Sequence, residues 1–158
     1  MALSTFGAIM GFAAEMVQRT ETFYKAMVQK AKDPILGKAL EVLLEEEGKN
    51  TSLMERTRRE NVTEMILEPI AGLDQGDYEI DMKRMDQTKD ADLLKMALIL
   101  EERERRFFSE VSDKIPLPEV GRIFRKMAQR KERSLAKLKT LGLNQFLPGE
   151  SQNWKSPI

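Results

Sequence analysis

The chain repeats itself. Displaced by 84 residues, positions 9–54 lie over positions 93–138 without a gap. Phe23 falls on Phe107, Tyr24 on Phe108, Lys30 on Lys114, Pro34 on Pro118 and Gly37 on Gly121. The apolar positions travel with them: Leu36 on Val120, Leu40 on Phe124, Leu43 on Met127 and Met54 on Leu138. Such an offset constrains the fold strongly, because it asks for two copies of one supersecondary unit, related by a pseudo-twofold axis.

The unit is helical. Phe6, Ile9, Met10, Ala13, Met16, Val17, Thr20, Tyr24 and Met27 recur at the spacing of one helix face. Asp33-Pro34 then ends one helix and starts the next, with Asp33 as N-cap and Pro34 in the first turn. Leu36, Leu40, Leu43, Glu47, Asn50 and Met54 form the inward line of that second helix. In the second unit the lines are Leu94, Ala97, Glu101, Glu104, Phe108, Val111 and Val120, Phe124, Met127, Lys131, Ser134, Leu138, separated by the break "IPLPE" at 115–119. The expected helices are 4–31, 34–59, 90–114 and 117–141, which makes the chain all-α: two helical hairpins in one domain over 1–141. Residues 60–89 hold Pro69, Gly72, Gly76 and an acidic excess, and are expected to be a long connection with a short helical turn around 79–86. A connection of that length inside a small domain suits a crossover along the bundle. Residues 142–158 lack periodicity and form a C-terminal tail.

Several function classes fall away at once. The chain has no cysteine and no histidine, which excludes disulfides, zinc ribbons, iron–sulfur clusters, thiol catalysis and any histidine-based triad. Lys+Arg and Asp+Glu are balanced at 26 each, so net charge implies neither a nucleic-acid nor a membrane partner. The apolar runs are too short to span a bilayer. Arg19 is the first basic residue, so no signal-peptide n-region is expected and the expected location is cytoplasmic. The fourth helix is basic, but no aromatic stacking set accompanies it, and a solvated face is the favoured reading over nucleic-acid binding.

Glu47 and Asn50 stand at i and i+3 in "LLEEEGKN". A glutamate followed three residues on by histidine is a ligand pattern of carboxylate-bridged di-metal bundles. This spacing, the paired segments "TFYKAM" and "RFFSEV" and the helix order resemble the ferritin-like four-helix bundle, in its rubrerythrin-type form, over roughly residues 5–141. The resemblance implies a di-iron site in which each hairpin gives one glutamate seven residues before the aromatic and a Glu-x-x-His on the following helix. Carried over, the first hairpin offers Val17, Glu47 and Asn50; the second offers Glu101, Lys131 and Ser134. Only Glu47 and Glu101 match by type. The resemblance thus implies a degenerate di-iron site, with iron binding lost and the chain acting as a non-catalytic binding or structural protein, expected as a homodimer.

Three readings of the inward charges are open. The Lys131 ammonium can sit where metal would lie, paired with Glu47, Glu101 or both, with Asn50 and Ser134 completing a buried polar cluster. A helix rotation can instead carry these side chains to solvent. Or Glu47, Asn50, Glu101 and Glu104 can form an all-oxygen half-site for iron or manganese, with magnesium and calcium also suited to such ligands, giving a metal-dependent oxidoreductase or peroxidase. Tyr24 is expected as a packed aromatic with a satisfied hydroxyl.

Overall fold

The computed structural model describes residues 2–61, 70, 72–80 and 89–143. Four α-helices account for most of them: α1 Phe6–Lys30, α2 Pro34–Glu60, α3 Asp90–Ser112 and α4 Pro118–Leu141. Among the described residues the extended pairing is confined to one isolated bridge, between Ala2 and Asp74. No helix among them is long and apolar enough to cross a membrane.

Local chemistry sets the ends. The Thr5 hydroxyl accepts from the Ala8 amide at 3.0 Å and opens α1. The Asp33 carboxylate accepts from the Leu36 amide at 2.9 Å, and Pro34 follows in the first turn of α2. Both devices satisfy amides that have no partner inside the helix. α4 has no side-chain cap; Pro118 in its first turn has no amide hydrogen that would need a partner. Gly121 is required by packing: a Cβ there would lie 3.0 Å from the Ser112 carbonyl oxygen, so α4 approaches the end of α3 only without a side chain.

α1 packs along α2, and α3 along α4, as two hairpins. Asp90, the first residue of α3, accepts from the Lys32 amide at 3.0 Å and the Asp33 amide at 2.8 Å. The start of α3 is therefore fixed beside the turn between α1 and α2. Near the start of α1, the Leu3 amide donates to the Leu73 carbonyl at 3.0 Å and the Ile70 amide to the Ser4 carbonyl at 2.7 Å. Gly72, at φ +84°, makes the turn that this pairing needs. A 3-10 turn, Gln75–Tyr78, follows. Its Tyr78 stacks edge-on against Phe107 at 5.1 Å and donates to Glu110 at 2.7 Å. The helical turn expected around 79–86 falls mostly on residues 81–88, which lie outside the described residues, as does the tail from 144 onward.

The core has two apolar halves. One gathers Phe6, Met10, Ala13 and Val17 of α1 with Met54, Phe107, Phe108 and Phe124. The three phenylalanines form a tilted and edge-to-face set with centroids 5.0–6.0 Å apart. The other gathers Tyr24, Met27, Leu36, Leu40, Leu94, Ala97, Leu135 and Leu138. Between the halves lies a buried polar layer: Thr20, Glu47, Asn50, Glu101, Arg103, Glu104 and Lys131.

Candidate functional site

A buried charge is costly, so a layer of charges between two apolar cores must be paired within itself. Lys131 supplies the pairing. Its ammonium is in direct contact with Glu47 Oε1, donates to Glu101 Oε2 at 2.8 Å, and lies 3.7 Å from Glu104 Oε1. All four side chains are almost completely buried. α2 brings Glu47, α3 brings Glu101 and Glu104 one turn apart, and α4 brings Lys131 across from them. Each stands on the inward line that its helix uses for leucine, phenylalanine or methionine elsewhere.

Two neutral groups complete the contacts. Asn50 Nδ2 donates to Glu47 Oε1 at 3.0 Å, and the Tyr24 hydroxyl donates to Glu101 Oε2 at 2.7 Å. The expected satisfied hydroxyl of Tyr24 is thus present, and Glu101 is its acceptor. Burial, followed by the repulsion of Glu101, Glu47 and Glu104, holds the Tyr24 proton well beyond its ordinary range, so this hydroxyl remains a donor.

Three carboxylates face two buried cations, Lys131 and Arg103, which leaves an excess of one negative charge. Burial pushes Glu47 up to about 8, with Glu104 adding to the rise and Lys131 opposing it. Burial likewise raises Glu101 and Glu104, with Lys131 as the chief opposing influence. All three shifts favour the protonated acid, so this layer holds protons more readily than exposed carboxyls do. Glu47 Oε2 and both Glu104 oxygens receive no hydrogen bond, so a proton on either acid would supply a donor where one is missing. Lys131 moves the other way. Burial alone would lower it, but Glu101, Glu104 and Glu47 together hold it well above the ordinary lysine range, which favours the ammonium form.

Arg103 belongs to this layer and is not singled out by the sequence reading, which places Thr20 only on the inward face of the first helix. Arg103 Nη2 donates to Thr20 Oγ1 at 2.9 Å, and both residues are buried. The guanidinium lowers the Glu104 carboxyl, against the larger effect of burial. The available signal was a second stripe on α3: Leu93, Met96, Leu100 and Phe107 are all buried, at helical spacing, and Arg103 falls on the same line.

Ser134 is placed differently from its neighbours. It is half-buried, has no hydrogen bond to the cluster among the described residues, and lines a surface groove with Asn50 and Lys131 as part of its wall. The side chains of Glu47, Glu101, Glu104 and Lys131 are turned away from solvent, so a rotation carrying them outward is not the arrangement adopted.

Oxygens of Glu47, Glu101 and Glu104 lie within 4.8 Å of one another, close enough in principle to share a cation. The donor set does not fit a di-iron centre. It contains no imidazole, Val17 stands where a carboxylate would be needed, and the ammonium of Lys131 rests against the oxygens that would bind metal. No family model matches the chain, and no curated protein or solved structure does either.

Proposed function

We propose that the chain is a ferritin-like bundle of the rubrerythrin type in which an internal lysine stands in place of the di-metal centre, and that it acts as a non-catalytic binding or structural protein. The observation that carries this reading is the position of Lys131, whose single ammonium reaches carboxylates from two other helices. A cation there does for the folded bundle what a metal would do: it offsets inward-facing negative charge. The topology is supported by the two ends of the connection: α3 starts beside Lys32 and Asp33, at the opposite end of the 27-residue α2 from Glu60, as a crossover along the bundle would require. Ile70, Leu73 and Tyr78 against one apolar half, and Ile80 against the other, fit that path.

Elemental analysis of the protein purified from iron- and manganese-supplemented cells tests the proposal. Metal is expected far below one ion per chain, and a chelator should leave the melting temperature unchanged. Near-stoichiometric metal that disappears in Glu101→Ala would refute it.

A second reading has its own observation. Four of the six oxygens of Glu47, Glu101 and Glu104 receive no hydrogen bond, as in a site awaiting a cation. On this reading the bundle is an iron- or manganese-dependent oxidoreductase or peroxidase, and Lys131 must leave the cluster when metal enters. Absence of peroxide turnover in fully metallated protein would dismiss it.

A further inference from the structure

A groove of about 390 Å³ runs between α2 and α4 above the buried cluster. Its rim carries four exposed cations, Lys49, Arg130, Arg133 and Lys137, against one carboxylate, Glu46. Lys49 is held only loosely, 3.7 Å from the exposed Glu45. Arg130, Arg133 and Lys137 have no ion pair or hydrogen bond among the described residues. They stand at i, i+3 and i+7 on one helix stripe, where like charges repel across each turn. Ser134, between them, lines the same space. Guanidinium pairs with a neighbouring hydroxyl match the oxygens of a phosphate or carboxylate group.

The groove does not end with its charges. Past Glu46, Ser134 and Lys137 it continues as an apolar furrow of about 210 Å³ floored by Leu43 and Leu138 and edged by Val42 and Leu141. Val42 is 51% exposed although it faces this furrow. The order is axial. On α2 the apolar wall begins at Ala39 and the cationic part reaches Asn50, a rise of roughly 16 Å at 1.5 Å per residue.

We infer that this groove binds a single-chain amphiphile with an oxyanion head, of the alkyl-phosphate or fatty-acyl kind. The head lies on Arg130, Arg133, Lys49 and the Ser134 hydroxyl, and the chain lies along Val42, Leu43, Leu138 and Leu141. The ligand is one molecule lying along the helices. A bilayer presents heads in a plane with the chains behind them, whereas here head and chain sites lie side by side on the protein surface. Glu46, at the junction, disfavours a second charge on the chain. This inference is independent of what neutralises the core.

Calorimetric titration of the full chain with octyl phosphate, hexyl phosphate, inorganic phosphate and octanol tests it. Octyl phosphate is expected to bind one per chain and more weakly as salt is raised. It should bind up to about tenfold more tightly than hexyl phosphate, since two further methylenes are buried. Inorganic phosphate should bind much more weakly, and octanol should not bind measurably. The exposed pair Arg130→Ala/Arg133→Ala should weaken octyl phosphate by at least about tenfold while leaving the melting curve unchanged. Val42→Asp should weaken octyl phosphate and spare inorganic phosphate. Equal binding of octanol and octyl phosphate would overturn the assignment, as would wild-type affinity in the double arginine variant or binding to phosphatidylglycerol vesicles alone. A dimer that the double variant converts to monomer in sedimentation would also overturn it, because the groove would then be a subunit contact.

Discussion

Replacing Lys131 by methionine removes the one ammonium that the described residues place in the polar layer, while keeping a side chain of similar length. Glu101 retains the Tyr24 hydroxyl and Glu47 retains Asn50, but the contacts of Lys131 with Glu47, Glu101 and Glu104 all disappear. Breaking one side of a buried ion pair costs about 3–5 kcal/mol, because the partner is left charged and desolvated. The cost must depend on pH. The folded protein holds Glu47 at about 8 against an ordinary 4.5, and Glu101 and Glu104 are raised as well. A raised acid keeps its proton in the folded state after the unfolded chain has lost it. Folded stability therefore falls as pH rises from the ordinary glutamate value through the raised one. Removing Lys131 raises these carboxyls further and steepens that fall. Urea unfolding followed by circular dichroism should show Lys131→Met destabilised by about 3–5 kcal/mol near pH 8. Near pH 5.5, well below the value of about 8 for Glu47, the loss should shrink to roughly 1–2 kcal/mol. The exposed Lys126→Met should stay within about 0.5 kcal/mol at both. A neutral Lys131→Met near pH 8, or a loss of the same size at both pH values, would refute the pairing of Lys131 with ionised carboxylates.

Two further substitutions probe the same layer. Glu104→Gln removes an acid whose oxygens accept no hydrogen bond and puts an amide donor beside the Glu47 and Glu101 carboxylates. It should raise stability by about 1–2 kcal/mol near pH 8 and flatten the wild-type fall between pH 5.5 and 8, both read from urea midpoints; destabilisation there would contradict the charge excess. Tyr24→Phe deletes the 2.7 Å bond to Glu101, a hydrogen bond to a charged and buried acceptor, and should cost roughly 1.5–3 kcal/mol in the same assay.

The meeting of Glu47 with Lys131 was legible before any coordinates, because the 84-residue offset laid one on the other and both fell on apolar lines. Asp33 as a cap and the break before Pro118 were legible too, since capping and proline act over a few residues. Arg103 was harder. The expected inward line of α3 ran through Glu101 and Glu104, but α3 buries a second stripe, and part of what covers it is Tyr78 in the aperiodic connection. A segment without periodicity gives no warning of which helix face it will cover. Ser134 shows the opposite error: its place in the repeat equates it with Asn50, yet the small side chain stops at the groove wall. The cationic stripe at 130, 133 and 137 was visible as charge. Its use depends on Lys49 and Val42 of another helix, which spacing within α4 cannot reveal.

The contact between Glu47 and Lys131 spans 84 residues, the displacement of the repeat itself. Two identical hairpins assembled by a twofold axis would bring each such position against its own copy: glutamate against glutamate, or lysine against lysine. Either would repel in a dry interior, and only an added cation or a shared proton would relieve it. A glutamate facing a lysine is open only to halves that are free to differ, as they are when joined in one chain. The internal charge pair is therefore a form of heterodimer specificity written within a single polypeptide. Either hairpin made as a separate chain would lack a charge-matched copy of itself and would need the other half to close its core.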